Sequence, residues 1–137
     1  MIIGYTTGVF DMFHIGHLNI LRRAKERCDF LVVGVSTDEL VKEYKHKTPV
    51  IPFDERFQII SSLRCVDAVV AQTSLDKRSA WEKLHFDVLF HGSDWKGSEM
   101  YRKVEMEMKD IGVAVIWIPY TEGVSSTMLR KISKQER

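Results

Sequence analysis

The sequence predicts an α/β fold, a doubly wound five-stranded parallel sheet in a single domain. Short apolar runs alternate with amphipathic stretches along the chain. The central runs, such as FLVVGVS at 30–36, are apolar on consecutive residues, which is the pattern of parallel strands covered on both faces. The stretches between them are long enough for the helices of right-handed βαβ crossovers.

The first strand is expected at IIGYTT (2–7). A helix follows from about Ile15, with Leu18, Leu21, Ala24 and Cys28 recurring at helical spacing. FLVVGVS forms the second strand. Residues 37–52, which carry Lys42, Lys45, Lys47, Pro49 and Pro52, read as a long connection and a candidate lid. Phe53, Phe57, Ile60 and Leu63 mark the next helix, entered through Pro52 with Asp54 and Glu55 in its first turn, as the helix dipole prefers. AVVA (68–71) is the third strand, and Asp76 caps a helix bearing Ala80, Trp81 and Leu84. DVLFH (87–91) is the fourth strand. The stripe Met100, Val104, Met108 and Ile111 ends at Gly112, and VAVIWIP (113–119) is the fifth strand. Ser125 or Ser126 then caps a last helix with Met128, Leu129 and Ile132.

The 137 residues are expected to form one domain, 1–137. At 45% hydrophobic and 28% charged, the composition is that of a globular protein. Twenty basic against nineteen acidic residues give a net charge of +1, which excludes a global basic field for nucleic acid or an anionic membrane. Aromatic and basic residues are not interleaved in the manner of a nucleic-acid surface. Cys28 and Cys65 have neither metal-site spacing nor a disulfide framework around them. No signal-peptide pattern or membrane-length apolar run is present, so a cytoplasmic location is expected.

In doubly wound sheets, ligands bind outside the carboxyl ends of the strands, where the strand order reverses. GVFDMFHIGH (8–17) occupies one such end. Gly8 permits a tight turn and close backbone approach. The helix beginning near Ile15 points its free N–H groups at that turn, an anion site by construction. His14 and His17 flank it, Gly16 leaves room beside the backbone, and the imidazoles can donate to phosphate oxygens, more strongly when protonated. Taken singly, each histidine is an ordinary half-buried helix residue. A shared zinc ion is the other alternative, but no third ligand lies nearby in the sequence.

Lys45 and Lys47 on the connection could close over a polyphosphate, whereas Lys42 suits a solvated face. Arg56 and Arg64 are, on their own, surface residues. In HGSDWKGS (91–98), Gly92, Ser93, Asp94 and Trp95 suit a nucleobase pocket, and Trp95 suits a core anchor equally well. In PYTEGVSSTMLRKI (119–132), Ser125, Ser126 and Thr127 either cap a helix or receive phosphates. Together these features point to a nucleoside triphosphate.

The motifs are recognisable as a set. GVFDMFHIGH resembles the GTFDxxHxGH signature of the cytidylyltransferase-like nucleotidyltransferases, and HIGH (14–17) spells a motif shared with class I aminoacyl-tRNA synthetases. RCVDAVV (64–70) is similar to the family's RYVDEV, GSDWKG (92–97) to its GDDWEG, and YTEGVSST (120–127) to its RTEGISTT. All four occur in order across nearly the whole chain. Within the family, a short single domain most resembles the glycerol-3-phosphate cytidylyltransferases.

The resemblance implies a Rossmann-like fold, a homodimer, and a place in wall teichoic acid or capsule synthesis. It implies attack by a phospho-alcohol on the α-phosphorus of CTP, with Mg²⁺ as the nucleotide's partner, pyrophosphate as leaving group and no covalent intermediate. By it, His14, His17, Lys45, Arg56 and Arg64 are catalytic. Gly8, Val9, Phe10, Asp11, Gly16, Gly92, Ser93, Asp94, Trp95, Thr121, Gly123, Ser125, Ser126 and Thr127 bind the nucleotide. Lys47 and Tyr120 face the second substrate, and no protein cage for a metal is implied. Asp11 is also a candidate contact to Mg²⁺ or to a substrate hydroxyl.

Among the departures from the pattern, Val9 stands for Thr, Cys65 for Tyr, Ser93 for Asp and Tyr120 for Arg. The last removes a charge-assisted contact. It leaves open another acceptor (phosphoethanolamine, phosphocholine or a sugar phosphate), compensation by a nearby cation such as Arg130, or a non-catalytic nucleotide-binding subunit, while the 92–95 pocket must choose between CTP and ATP.

Overall fold

The computed structural model describes residues 1–93 and 96–119. Five parallel strands, β1 (Ile3–Gly8), β2 (Phe30–Ser36), β3 (Ala68–Gln72), β4 (Val88–Gly92) and β5 (Ala114–Ile118), form one sheet in the order β3-β2-β1-β4-β5. The chain moves outward from β1 to β3, then returns to lay β4 on the other side of β1. This is the Rossmann-like, doubly wound arrangement, and its switch point lies between β1 and β4. Each strand begins and ends within one residue of its expected position.

Helix α1 (Ile15–Glu26) and helix α3 (Phe53–Ser61) cover one face of the sheet. Helix α4 (Lys77–Leu84) and helix α5 (Glu99–Asp110) cover the other. The strands alternate between the two faces. Leu31, Val33 and Val35 of β2 pack with Leu21, Ala24 and Ile60, while Val32 packs with Tyr5, Leu89 and Met108. Both sets are buried, so the sequence is apolar at every position rather than at alternate ones. Asp76 accepts from the N–H groups of Arg78 and Ser79 as the expected cap of α4, and Gly112, at φ +79°, follows the end of α5.

The amino edge of the sheet repeats one device. Asp29, Asp67 and Asp87 each stand just before a strand, and each carboxylate accepts a backbone N–H from the neighbouring one. The donors are Ile2 (2.7 Å), Leu31 (2.8 Å) and Ile3 (2.8 Å) respectively. A slip of one residue would turn every side chain to the opposite face, and these three contacts oppose it.

The connection at 37–52 differs from expectation. Residues Asp38–Lys45 form a helix, α2. Thr37 caps it by accepting from the Leu40 N–H, Asp38 and Glu39 occupy its first turn, and Leu40 and Val41 are buried. Its apolar face is only two residues wide, so the lysines and the later prolines masked a helical start signal. The rest of the connection is tied down through Asp11. The expected last helix lies outside the described residues.

Candidate active site

The turn leaving β1 runs through Phe10 and Met12, both in the left-handed region at φ 55° and 49°. Gly8 is needed there because a Cβ would sit 2.9 Å from the Phe10 ring. Between the two strained residues lies Asp11, buried, with Oδ2 accepting from the Val50 N–H (2.8 Å) and Oδ1 from the Ile51 N–H (2.9 Å). Arg56, also buried, reaches in from α3. Its Nε donates to the Ile51 carbonyl, its Nη1 to the carbonyls of Val9 and Ser36, and its Nη2 to Asp38 Oδ1 at 2.6 Å. Four of its five N–H donors therefore end on protein acceptors. Asp11 and Arg56 together fasten the ends of β1 and β2 to the entries of α2 and α3.

On this frame sit the two histidines. His14 is the N-cap of α1, its Nδ1 accepting from the Gly16 N–H at 3.0 Å; His17 Nδ1 accepts from the His14 N–H at 3.3 Å. This is a capping box built from imidazoles. The rings stack, with centroids 3.9 Å apart and planes 25° from parallel. Because both Nδ1 lone pairs accept, the proton of each neutral ring lies on Nε2. The pair therefore presents two Nε2–H donors at the positive end of a helix, at the switch point of the sheet. His14 Nε2 is buried and has no hydrogen-bond partner among the described residues.

Burial lowers His17 to about 4, with the neighbouring His14 adding to the effect and Asp11 opposing it. Burial also lowers His14. Both rings are therefore neutral at pH 7 and can donate only without a charge, whereas the sequence suggested stronger donation from protonated rings. Zinc has no support in this donor set. Both Nδ1 atoms are occupied, and no group of three metal-ligating side chains occurs among the described residues.

A cavity of about 310 Å³ opens over the carboxyl ends of β1 to β4, and neither His14 nor His17 is among the described residues that line it. Gly8, Val9 and Lys45 line it, and so does a residue that sequence reasoning missed, Lys77. Lys77 opens α4, is 5% exposed, and donates from Nζ to Thr7 Oγ1 at 2.7 Å. Burial lowers its pKa to about 7. The missed signal was a cation directly after the N-cap Asp76, where the helix dipole disfavours positive charge.

Gly92 ends β4 beside β1, and Ser93 follows it, so both stand at the switch point. Gly16 is buried in the first turn of α1, and Phe10 packs into the core. Lys42 is exposed, as its solvated reading required; Lys47 is exposed beyond α2 and does not line the cavity. Arg64 is not brought to this site within one chain. It precedes β3 and is exposed, on the amino edge of a parallel sheet whose opposite edge carries the histidines. A five-residue strand separates the two edges by roughly 15 Å. Asp94, Trp95, Tyr120, Thr121, Gly123, Ser125, Ser126 and Thr127 lie outside the described residues.

A sequence model of a family described as cytidylyltransferase-like matches residues 5–132. A glycerol-3-phosphate cytidylyltransferase of Staphylococcus aureus is 35% identical over 127 residues, covering 92% of this chain and 90% of its own. An FAD synthase of Thermococcus sibiricus is 36% identical over 116 residues, covering 84% of this chain and 78% of its own. Among solved structures, a lipopolysaccharide core biosynthesis protein from Thermoplasma volcanium superposes with a TM-score of 0.74 at 28% identity, covering 88% of this chain and 97% of that one.

Proposed function

The chain belongs to the cytidylyltransferase-like family and is a nucleotidyltransferase, and on that premise we propose that it joins CTP to a small phospho-alcohol, sn-glycerol 3-phosphate first among them. The products are CDP-glycerol and pyrophosphate, and the CDP-alcohol would feed a wall teichoic acid or capsule polymer. The observation that carries this reading is the stacked His14–His17 pair, with its Nε2–H donors at the N-terminus of α1. An acceptor phosphate oxygen attacks the α-phosphorus as the bond to the bridging oxygen breaks, and that oxygen leaves on pyrophosphate. The electron pair departs with the leaving group, and no protein nucleophile is needed. Catalysis is then positioning plus stabilisation of charge on the equatorial oxygens, which the two imidazoles supply.

Mg²⁺ would come with the triphosphate as part of that substrate and would neutralise part of its charge. No cluster of three ligating side chains among the described residues forms a cage for it. Lys45 and Lys77 line the cavity and hold the acceptor phosphate. Asp11 and Arg56 act as positioning residues, since their hydrogen bonds are spent within the protein. By the family pattern, Gly92–Trp95 read the base and Thr121, Gly123 and Ser125–Thr127 hold the terminal phosphates. Lys47 and Tyr120 lie toward the acceptor, and the enzyme works as a homodimer.

A second reading has support in the similarity to FAD synthases: ATP as the nucleotide donor, with another phosphate as acceptor. The cavity lies near the lower end of the range for ligand sites and favours a small acceptor over a flavin. The deciding experiment is pyrophosphate release with CTP or ATP and Mg²⁺ against a panel of phospho-alcohols. Turnover with CTP and glycerol 3-phosphate is expected. Turnover with ATP alone would replace the first reading with the second, and tight nucleotide binding without release would sink both.

A further inference from the structure

On the same cavity as Gly8 and Lys45 stands a side chain to which the proposed reaction gives no task. His91 lies on β4, one residue before its end, and is 5% exposed. Its Nδ1 is 3.4 Å from the Tyr101 hydroxyl, and its ring is boxed in by Tyr101 at 4.5 Å and Trp117 at 6.2 Å between centroids. It lines the cavity, yet its Nε2 is buried without a hydrogen-bond partner among the described residues. An unsatisfied ring nitrogen costs folding free energy that an apolar residue would not, so such an atom calls for a ligand.

The chemistry of the walls narrows that ligand. Burial holds the His91 imidazole well below its ordinary pKa, and Lys77 adds to the effect, so the ring is neutral. Its Nε2 then acts as donor or acceptor according to which nitrogen carries the proton, and a hydroxyl satisfies either form. Among the described residues, two lysines line the cavity but no aspartate or glutamate does, so these walls offer an ammonium or quaternary ammonium headgroup no counter-charge. Leu75 and Met100 supply an apolar side for C–H groups.

We infer that His91 selects the acceptor: its Nε2 hydrogen-bonds a hydroxyl on the carbon chain of a phosphorylated polyol whose phosphate lies against Lys77. The inference rests on the proposed reaction for the identity of the site and adds the residue that chooses among its acceptors. It makes polyol phosphates preferred over aminoalcohol phosphates and over alkyl phosphates that lack the hydroxyl.

The test is calorimetric binding of four monophosphates to the full chain, with pyrophosphate release from CTP measured in parallel. The probes are sn-glycerol 3-phosphate, ribitol 5-phosphate, propyl phosphate and O-phosphoethanolamine. At least one polyol phosphate is expected to bind about tenfold more tightly than propyl phosphate and O-phosphoethanolamine, the effect of one hydrogen bond. His91→Met should erase that margin while leaving propyl phosphate within about twofold of its original affinity. His91→Gln, which keeps a polar group at the same point, should retain part of it. No preference for a polyol phosphate, a preference that survives in His91→Met, or equal loss of all four phosphates in both variants would each overturn the inference. The two ideas fail separately. A His91-dependent preference without pyrophosphate release sinks the reaction and keeps the polyol site, while release without that preference does the reverse.

Discussion

His17 shows how one side chain can serve a fold and, in the proposed reaction, its chemistry as well. Its Nδ1 closes the cap of α1, and that same hydrogen bond fixes the proton on Nε2, where a phosphate would meet it. His17→Ala is expected to lower kcat by about two to three orders of magnitude, the usual loss for one preorganised donor. Steady-state pyrophosphate release measures it, and undiminished turnover in a folded variant would remove His17 from the mechanism. Lys77 gives a pH signature. Burial brings its pKa to about 7, so the ammonium is present below that pH and lost above it. The acceptor's kcat/KM should fall about tenfold per pH unit above 7, and Lys77→Met should abolish this limb. Stability runs the other way. Between about 7 and the ordinary lysine value the unfolded chain binds more protons than the folded one, so stability climbs with pH over that window. Urea midpoints across the range should show the slope in the wild type and lose Lys77's share of it in Lys77→Met.

At the scale of elements, the site is held by the joints between them. The turn after β1 is strained at Phe10 and Met12, and strain of that kind persists only where surrounding contacts over-determine it. Asp11 provides two such contacts, to the backbone between α2 and α3. Asp11→Asn replaces one of its accepting oxygens with a donor and sets an N–H against an N–H. A loss of about 1–3 kcal/mol is expected, with faster amide hydrogen exchange at Val50 and Ile51. Unchanged exchange at those two amides would show that Asp11 is not the latch. The legibility of the elements followed their signals. α4 announced itself through Asp76 before a helical stripe, whereas α2, with two buried residues, was visible only through Thr37 and the acidic pair after it.

For the whole molecule, the strand order creates the site. β1 and β4 are 80 residues apart in sequence, yet they pair along Gly4↔Val88 to Thr6↔Phe90 and bring the histidine turn beside Gly92. A ligand at this junction binds only the folded sheet, so it must stabilise the whole. CTP with Mg²⁺ at a hundred times its Kd is expected to raise the unfolding free energy by about 2.7 kcal/mol. Denaturant titrations with and without the nucleotide check this, and coincident curves would show that the folded chain does not bind it.

What the sequence determined by itself was whatever depends on neighbours along the chain. That covers the five strands, whose burial on both faces leaves consecutive apolar runs, and helix starts such as Asp76. It also covers the GVFDMFHIGH turn, where glycine, histidines and a helix start lie within ten residues. The tertiary structure decided what depends on residues far apart. Lys77 carries only a faint local signal and His91 none, and only the sheet order places them on one cavity. Arg56 and Arg64 looked alike as isolated arginines. Packing buried the first beneath the β1 turn and left the second on the far edge, because a parallel sheet sends every strand's start and end to opposite sides.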